Sequence, residues 1–184
     1  RLAFELALLA LVAVGAIAAA RFGFAAYYHR AYPMKYEAQI GRACAEKGLD
    51  PALVYAVVRT ESGFDPRAKS NVGAQGLMQL MPDTARWVAQ QMGHGNYTDR
   101  QLKEPETNIQ LGTWYLGYLL KEFNGDEVQA LAAYNAGRGH VESWIKEKNW
   151  NGMVDTIPFP ETRMYVKTVL TYQERYESLY GEHH

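Results

Sequence analysis

One apolar run opens the chain, and beyond it hydrophobic residues recur at helical rather than alternating spacing. The run from 6 to 20 comprises 15 apolar or small residues, bounded by Glu5 and Arg21. As a helix it would reach ~22 Å, short of a hydrocarbon core ~30 Å thick. Phe22 to Tyr28 lengthens it if Arg21 snorkels and Tyr27, Tyr28 and Arg30 sit at the interface. Residues 1–30 therefore read as a transmembrane anchor. The rival is a cleaved signal peptide, with Ala18-Ala19-Ala20 as a small-residue cleavage site.

Residues 31–184 read as a single domain of helices joined by turns. The predicted helices are 33–47, stopped by Gly48; 51 to about 62, started by Asp50-Pro51 and stopped by Gly63; 82–92; 105–123; one capped by Asp126 and ended at Gly137; 141–148; and 161–180. Aspartate caps free backbone donors, proline tolerates the first turn and glycine suits the position past the last. No alternating segment is long enough for a sheet, although a short β-hairpin fits between Asp65 and Leu80. The expected class is all-α.

The helix from 51 carries the first candidate chemistry. At about 100° per residue, Leu53, Val54, Val57 and Val58 form one apolar stripe, with Tyr55 and Arg59 on the other side. Glu61 falls inside that stripe, three residues after Val58 and four after Val57. A carboxyl facing a core loses hydration, which raises its pKa toward the value a general acid needs. Spacing alone leaves a second reading level with the first, in which Glu61 ends the helix and turns to water. The segment after it is rich in glycine and uncharged polar groups. Gly73 and Gly76 allow tight turns or close approach to a ligand. Ser70, Gln75 and Gln79 offer neutral donors and acceptors suited to sugar hydroxyls and acetamides, and Met78 and Met81 offer adaptable apolar surface. A loop closing onto a core would use the same residues.

Composition narrows the classes. A formal net charge of −1 with scattered Lys and Arg gives no case for nucleic-acid binding. Cys44 is the only cysteine, so no internal disulfide forms; with Tyr36 and Ile40 it makes a stripe that packs the first domain helix. The five histidines are dispersed, and neither a metal nor a cofactor is implied. His183-His184 reads as a tag remnant or a tail. Thirteen tyrosines and four tryptophans suit sugar stacking, though most aromatics in any domain are core.

The string Gly76-Leu77-Met78-Gln79-Leu80-Met81-Pro82, following Glu61-Ser62-Gly63-Phe64, resembles the catalytic core of the family 1 lytic transglycosylases. Three further stretches agree with it in order and spacing: Asn108 to Leu116, Ala132 to Gly137, and Ile157 to Val166. The resemblance covers about residues 33–180 and implies a lysozyme-like helical fold. It also implies that Glu61 is the catalytic acid and base, and that Ser70, Gln79, Met81, Tyr134 and Asn135 fall on cleft positions that contact the glycan. Glu161 falls on a buried carboxylate position supporting the site, with Tyr165 beside it in the late motif. From the residues alone, Tyr134 reads as a core tyrosine. Glu161 reads as a helix N-terminal acid or a local partner of Arg163.

Ordinary glycosidases need two carboxylates flanking the bond. Asp65 lies past Gly63 and before Pro66, and Asp83 follows Pro82 where capping suffices, so no second acid is forced. Enzymes of the resembled family work with one, closing a 1,6-anhydro ring on N-acetylmuramic acid. The resemblance therefore implies an enzyme acting on peptidoglycan strands, and with the anchor read from residues 1–30 it is expected at the membrane on the extracytoplasmic side, with cell-wall synthesis or division proteins as candidate partners. A hydrolytic goose-type lysozyme and a non-catalytic peptidoglycan-binding scaffold are the alternatives.

Overall fold

The computed structural model describes residues 1–147 and 149–181. The helix end expected at Lys148 and the pair His183-His184 lie outside the described residues. The chain divides into two compact units, Arg1–Met34 and Lys35–His184.

In the first unit, α1 (Leu2–Ala31) continues through Arg21 without a break, for 30 residues. At 1.5 Å per residue that is about 45 Å. Its stretch Leu11–Ala31 has a mean hydropathy of 1.5 and none of it is buried, so by length and composition the helix could cross a membrane. Phe24, Tyr27 and Tyr28 form ring contacts near its C-terminal end.

The second unit is all-α. It contains α2 (Glu37–Lys47), α3 (Pro51–Ser62), α4 (Pro82–Gln91), α5 (Pro105–Glu122), α6 (Glu127–Ala136), α7 (Arg138–Lys146) and α8 (Pro160–Tyr180). Short 3-10 turns at Asp99–Lys103 and Val154–Thr156 fall in stretches the sequence reading leaves as loop. The caps act as their chemistry predicts: Asp50 accepts from the Ala52 amide at 2.9 Å and Asp126 from the Gln129 amide at 3.0 Å. Two boundaries differ. α2 starts at Glu37 rather than 33, because Tyr36 stands in the left-handed region (φ 60°) and cannot extend the helix; the Tyr36–Ile40–Cys44 stripe is therefore reduced to Ile40 and Cys44, both buried. α7 starts at Arg138 rather than 141, because Gly137 (φ 95°) turns the chain sharply enough to begin a new helix at once.

α3 is the central element. Leu53 through Val58 are all buried, including Tyr55 at 2% exposure, which corrects its assignment to an outer face. A one-stripe helix has one covered side; α3 packs on α2 and, most extensively, on α8. The Tyr55 ring lies 5.2 Å from that of Tyr176 on α8. Burial also pushes the Cys44 thiol up to about 12, leaving it an inert packed group. Between α3 and α4 the expected hairpin is reduced to two isolated antiparallel bridges, Lys69 with Gln75 and Gln75 with Leu80.

Candidate active site

Glu61 occupies the last turn of α3, half-buried and one residue before the helix ends. Burial raises its carboxyl from 4.5 to about 7, and the Tyr165 hydroxyl acts against that rise by favouring the ionised form. Tyr165, on α8, is buried. Its contact with Glu61 is looser than a formed hydrogen bond, and its hydroxyl has no other partner among the described residues. Tyr134, near the end of α6, feels the same carboxyl. Both phenols are pushed well above the usual tyrosine value, first by burial and then by the Glu61 charge, so both remain protonated donors.

The polar segment beside Glu61 is held from beneath. Asn108, in the first turns of α5 and fully buried, accepts from the Met78 amide at 2.7 Å. Its own amide nitrogen donates to the carbonyls of Gln75 and Leu102 at 3.0 and 2.8 Å. One side chain thus serves three backbone groups, of which the Gln75 carbonyl also accepts from the Leu80 amide at 3.1 Å. Ser62, adjacent to Glu61, donates to the Leu77 carbonyl at 2.8 Å and joins the helix end to the same segment. The Tyr134 hydroxyl donates to the Met78 carbonyl at 2.8 Å. Two glycines make the packing feasible. A Cβ on Gly76 (φ 80°) would meet the Leu102 carbonyl at 2.3 Å, and one on Gly112 would meet the Met78 sulfur at 2.3 Å.

Around this floor the structure gathers most of the expected residues. Gln79, Met81, Tyr134 and Asn135 line one cavity of about 220 Å³. Gln79 itself is in the left-handed region (φ 45°), held there by its amide nitrogen donating to the Gly76 and Ala68 carbonyls at 2.9 and 3.1 Å. Met81 is 42% exposed. Asn135 and Ala136 continue into a second cavity of about 340 Å³, which Phe159 and Glu161 also line. Glu61 lines neither cavity and is linked to the first through Tyr134, which feels its charge. Ser70 is not brought to the groove: its Oγ accepts from the Ala74 amide at 3.0 Å and closes a turn.

Glu161 departs from expectation. It is exposed in the first turn of α8, not buried, because that turn directs Thr162 inward and leaves Glu161 on its outer side. Nor does it pair with Arg163, whose guanidinium donates twice to the Ile157 carbonyl, at 3.1 and 2.7 Å. The helix N-terminal reading is the one its position fits. Thr162, the next residue, donates to the Asn135 Oδ1 at 2.8 Å and ties α8 to α6.

Neither nearby aspartate faces Glu61 as a second acid. Asp65 is exposed and accepts from the Arg67 amide at 2.8 Å, while Asp83 pairs with Arg86, which also binds Asp99. No group of three potential metal ligands occurs among the described residues. Asn108, Ser62 and Gly112 are the site residues that periodicity does not reveal. The signal for Gly112 is a glycine costing ~1 kcal/mol in mid-helix, which implies a close approach. For Asn108 it is a poor helix former within the first turns of a helix, next to Ile109.

Residues 39–155 match the family model for the Transglycosylase SLT domain, and residues 156–184 that for the Soluble lytic transglycosylase helical domain. A soluble lytic murein transglycosylase of Salmonella typhimurium is 40% identical over 156 residues, 82% of this chain and 24% of that protein. The crystal structure of the 70 kDa soluble lytic transglycosylase of Escherichia coli superposes with a TM-score of 0.78 at 38% identity, covering 84% of this chain and 26% of that one. An inactive mutant of the lytic transglycosylase Slt of Pseudomonas aeruginosa gives 0.74 at 41% identity, covering 80% and 24%. The chain thus spans about a quarter of the length of these relatives. With the domain model matched from 39 to 155 and the fold shared at this identity, the chain belongs to the family defined by the Transglycosylase SLT domain.

Proposed function

We propose that this chain is a lytic transglycosylase that cleaves the β-1,4 bond between N-acetylmuramic acid and N-acetylglucosamine in peptidoglycan. The observation that carries the reading is a lone half-buried carboxyl, Glu61, whose pKa of about 7 leaves about half of it protonated at neutrality, where an ordinary carboxyl is almost wholly ionised, beside two phenols and a neutral polar groove. Protonated Glu61 donates to the glycosidic oxygen as the C1–O bond breaks. The substrate's own acetamide steadies the positive anomeric carbon. The muramic acid 6-hydroxyl then attacks C1, and ionised Glu61 takes its proton. A 1,6-anhydro ring closes, no water is consumed and Glu61 returns to its starting form. Tyr165 suits the second half: its hydroxyl, lacking another partner, supports the carboxylate once it forms. Gln79, Met81, Tyr134 and Asn135 line the glycan cleft, Glu161 stands at its margin, and Ser70 shapes the turn beside it. The length and apolarity of α1 support a membrane tether with the catalytic unit in the cell envelope.

Mass spectrometry of soluble products from purified peptidoglycan tests the reading. Muropeptides ending in 1,6-anhydromuramic acid are expected. Products heavier by one water would make the chain a lysozyme, and glycan bound without release would make it a scaffold. Retention of the full chain in membranes washed with alkaline carbonate tests the tether.

A further inference from the structure

Asn135 and its neighbour Ala136 line both cavities and so stand where the two meet. The Asn135 side chain is exposed, yet one end of it is fixed. The hydroxyl of Thr162, a residue only 2% exposed, donates to its Oδ1 at 2.8 Å. That is the hydroxyl's one hydrogen bond among the described residues, and the Asn135 Nδ2 makes none there. An asparagine amide is nearly symmetric in shape, so an unheld one offers a groove either its carbonyl or its NH2 group. With Oδ1 held by Thr162, the NH2 group is the end left for a ligand.

Packing does not require this hydroxyl. A buried hydroxyl costs free energy unless it is bonded, and valine fills much the same space without that cost. Nor does the exposed Asn135 need it, since water can serve its Oδ1. What the Thr162 contact supplies is direction: it decides which end of the amide faces the groove. The lining charge narrows the ligand further. Glu161 is the only charged residue that lines either cavity. A carboxylate brought beside it meets repulsion, whereas a neutral carbonyl oxygen accepts from an NH2 group at no such cost.

We propose that Thr162 is a positioning residue of the cleft, holding the Asn135 amide so that its NH2 group donates to a neutral amide carbonyl of the glycan strand. The proposal rests on the glycan-cleft reading above. Thr162 acts through Asn135 and not on the reacting atoms. Two groups of the strand carry the required chemistry: the acetamide of N-acetylglucosamine, and the amide that joins the lactyl side chain of muramic acid to its peptide. The muramic acid acetamide is excluded because it is engaged with the anomeric carbon.

The test measures kcat/KM of the full chain in detergent, or the Kd of Glu61→Gln where a glycan is not cleaved. Three soluble glycans are compared: peptide-bearing strands, strands freed of peptide, and strands whose glucosamine residues alone are de-N-acetylated. On peptide-bearing strands Thr162→Val should lose roughly tenfold, the worth of one hydrogen bond, and Thr162→Ser should recover most of it. The loss should vanish on one modified glycan: the de-N-acetylated one if the acetamide is the partner, the peptide-free one if the lactyl amide is. An undiminished loss on all three would reduce Thr162 to a structural role and overturn the proposal, as would no loss on peptide-bearing strands. A cycle with Asn135→Ala checks the route. In that background Thr162→Val should cost nothing more, and losses that multiply would mean that Thr162 acts elsewhere. If the wild-type protein neither cleaves nor binds peptide-bearing strands, the glycan-cleft reading itself fails. Cleavage indifferent to Thr162 defeats the positioning role alone.

Discussion

Replacing Glu61 with glutamine should stabilise the protein, and only above a definite pH. Burial lifts the carboxyl from 4.5 to about 7, so the folded state holds this proton more tightly than the unfolded chain does. Below about pH 4.5 both states are protonated and the residue is neutral in each. Between about 4.5 and 7 the wild-type protein loses stability as pH rises, because the unfolded chain releases a proton that the folded one retains. Above about pH 7 the folded protein carries the full penalty of a desolvated carboxylate. At 1.36 kcal/mol per pH unit the displacement corresponds to about 3 kcal/mol, an upper bound because the residue is only half-buried and water screens it. Glutamine has nearly the same shape and never ionises. The stability of Glu61→Gln minus that of wild type should therefore be near zero at about pH 4 and rise to about 2–3 kcal/mol by pH 8. Urea unfolding of both full chains in mild detergent, at matched m-values, reads this directly. Over the same range the variant should lose on the order of 10³-fold or more in turnover, the general-acid contribution. A flat difference across pH would refute the reasoning, since it would mean a hydrated carboxyl with an ordinary proton affinity. A difference of opposite slope would mean that Glu61 is held ionised by a cationic partner.

Tyr165→Phe removes the group that favours ionised Glu61, so the alkaline limb of the kcat/KM profile should move to higher pH while the optimum rate falls; a stationary limb would separate Tyr165 from the acid. Asn108→Ala strands the Met78 amide and the Leu102 carbonyl and takes one of two donors from the Gln75 carbonyl, and should cost about 2–4 kcal/mol in urea unfolding. Gly112→Ala drives a methyl group to within 2.3 Å of the Met78 sulfur. It should cost about 1–3 kcal/mol, and at temperatures where the variant is fully folded turnover should still fall, because Met78 lies beneath the cleft.

Much of this was legible in the residues. Helix caps are local chemistry, so Asp50, Asp126, Gly48 and Gly63 mark their boundaries without tertiary information. Glu61 was findable because its place at three and four residues from Val58 and Val57 is a property of one helix. Tyr55 was misplaced for the opposite reason: its burial depends on α8, which arrives from more than a hundred residues later. Asn108 and Ser62 escaped because their role is to satisfy backbone groups of another segment, and no periodicity encodes a hydrogen bond across 30 or 15 positions. Glu161 went astray through the resemblance, which supplied a buried position, whereas the first turn of α8 buries Thr162 and leaves Glu161 outside. The ring cluster of Trp87, Trp114 and Tyr118 was hidden within composition: thirteen tyrosines and four tryptophans suggest sugar stacking, but only folding chooses which of them meet.

The cleft floor has no separate existence from the core. Met78 is at once the group that Tyr134 and Asn108 grip and a fully buried side chain wedged against Gly112, and Leu80 two residues on belongs to the cluster of Ala85, Val88, Leu102 and Leu111. A loop that merely lay over the domain could melt ahead of it. Here the thermal inactivation curve and the loss of near-ultraviolet ellipticity should coincide, with no warm, folded and inactive interval between them.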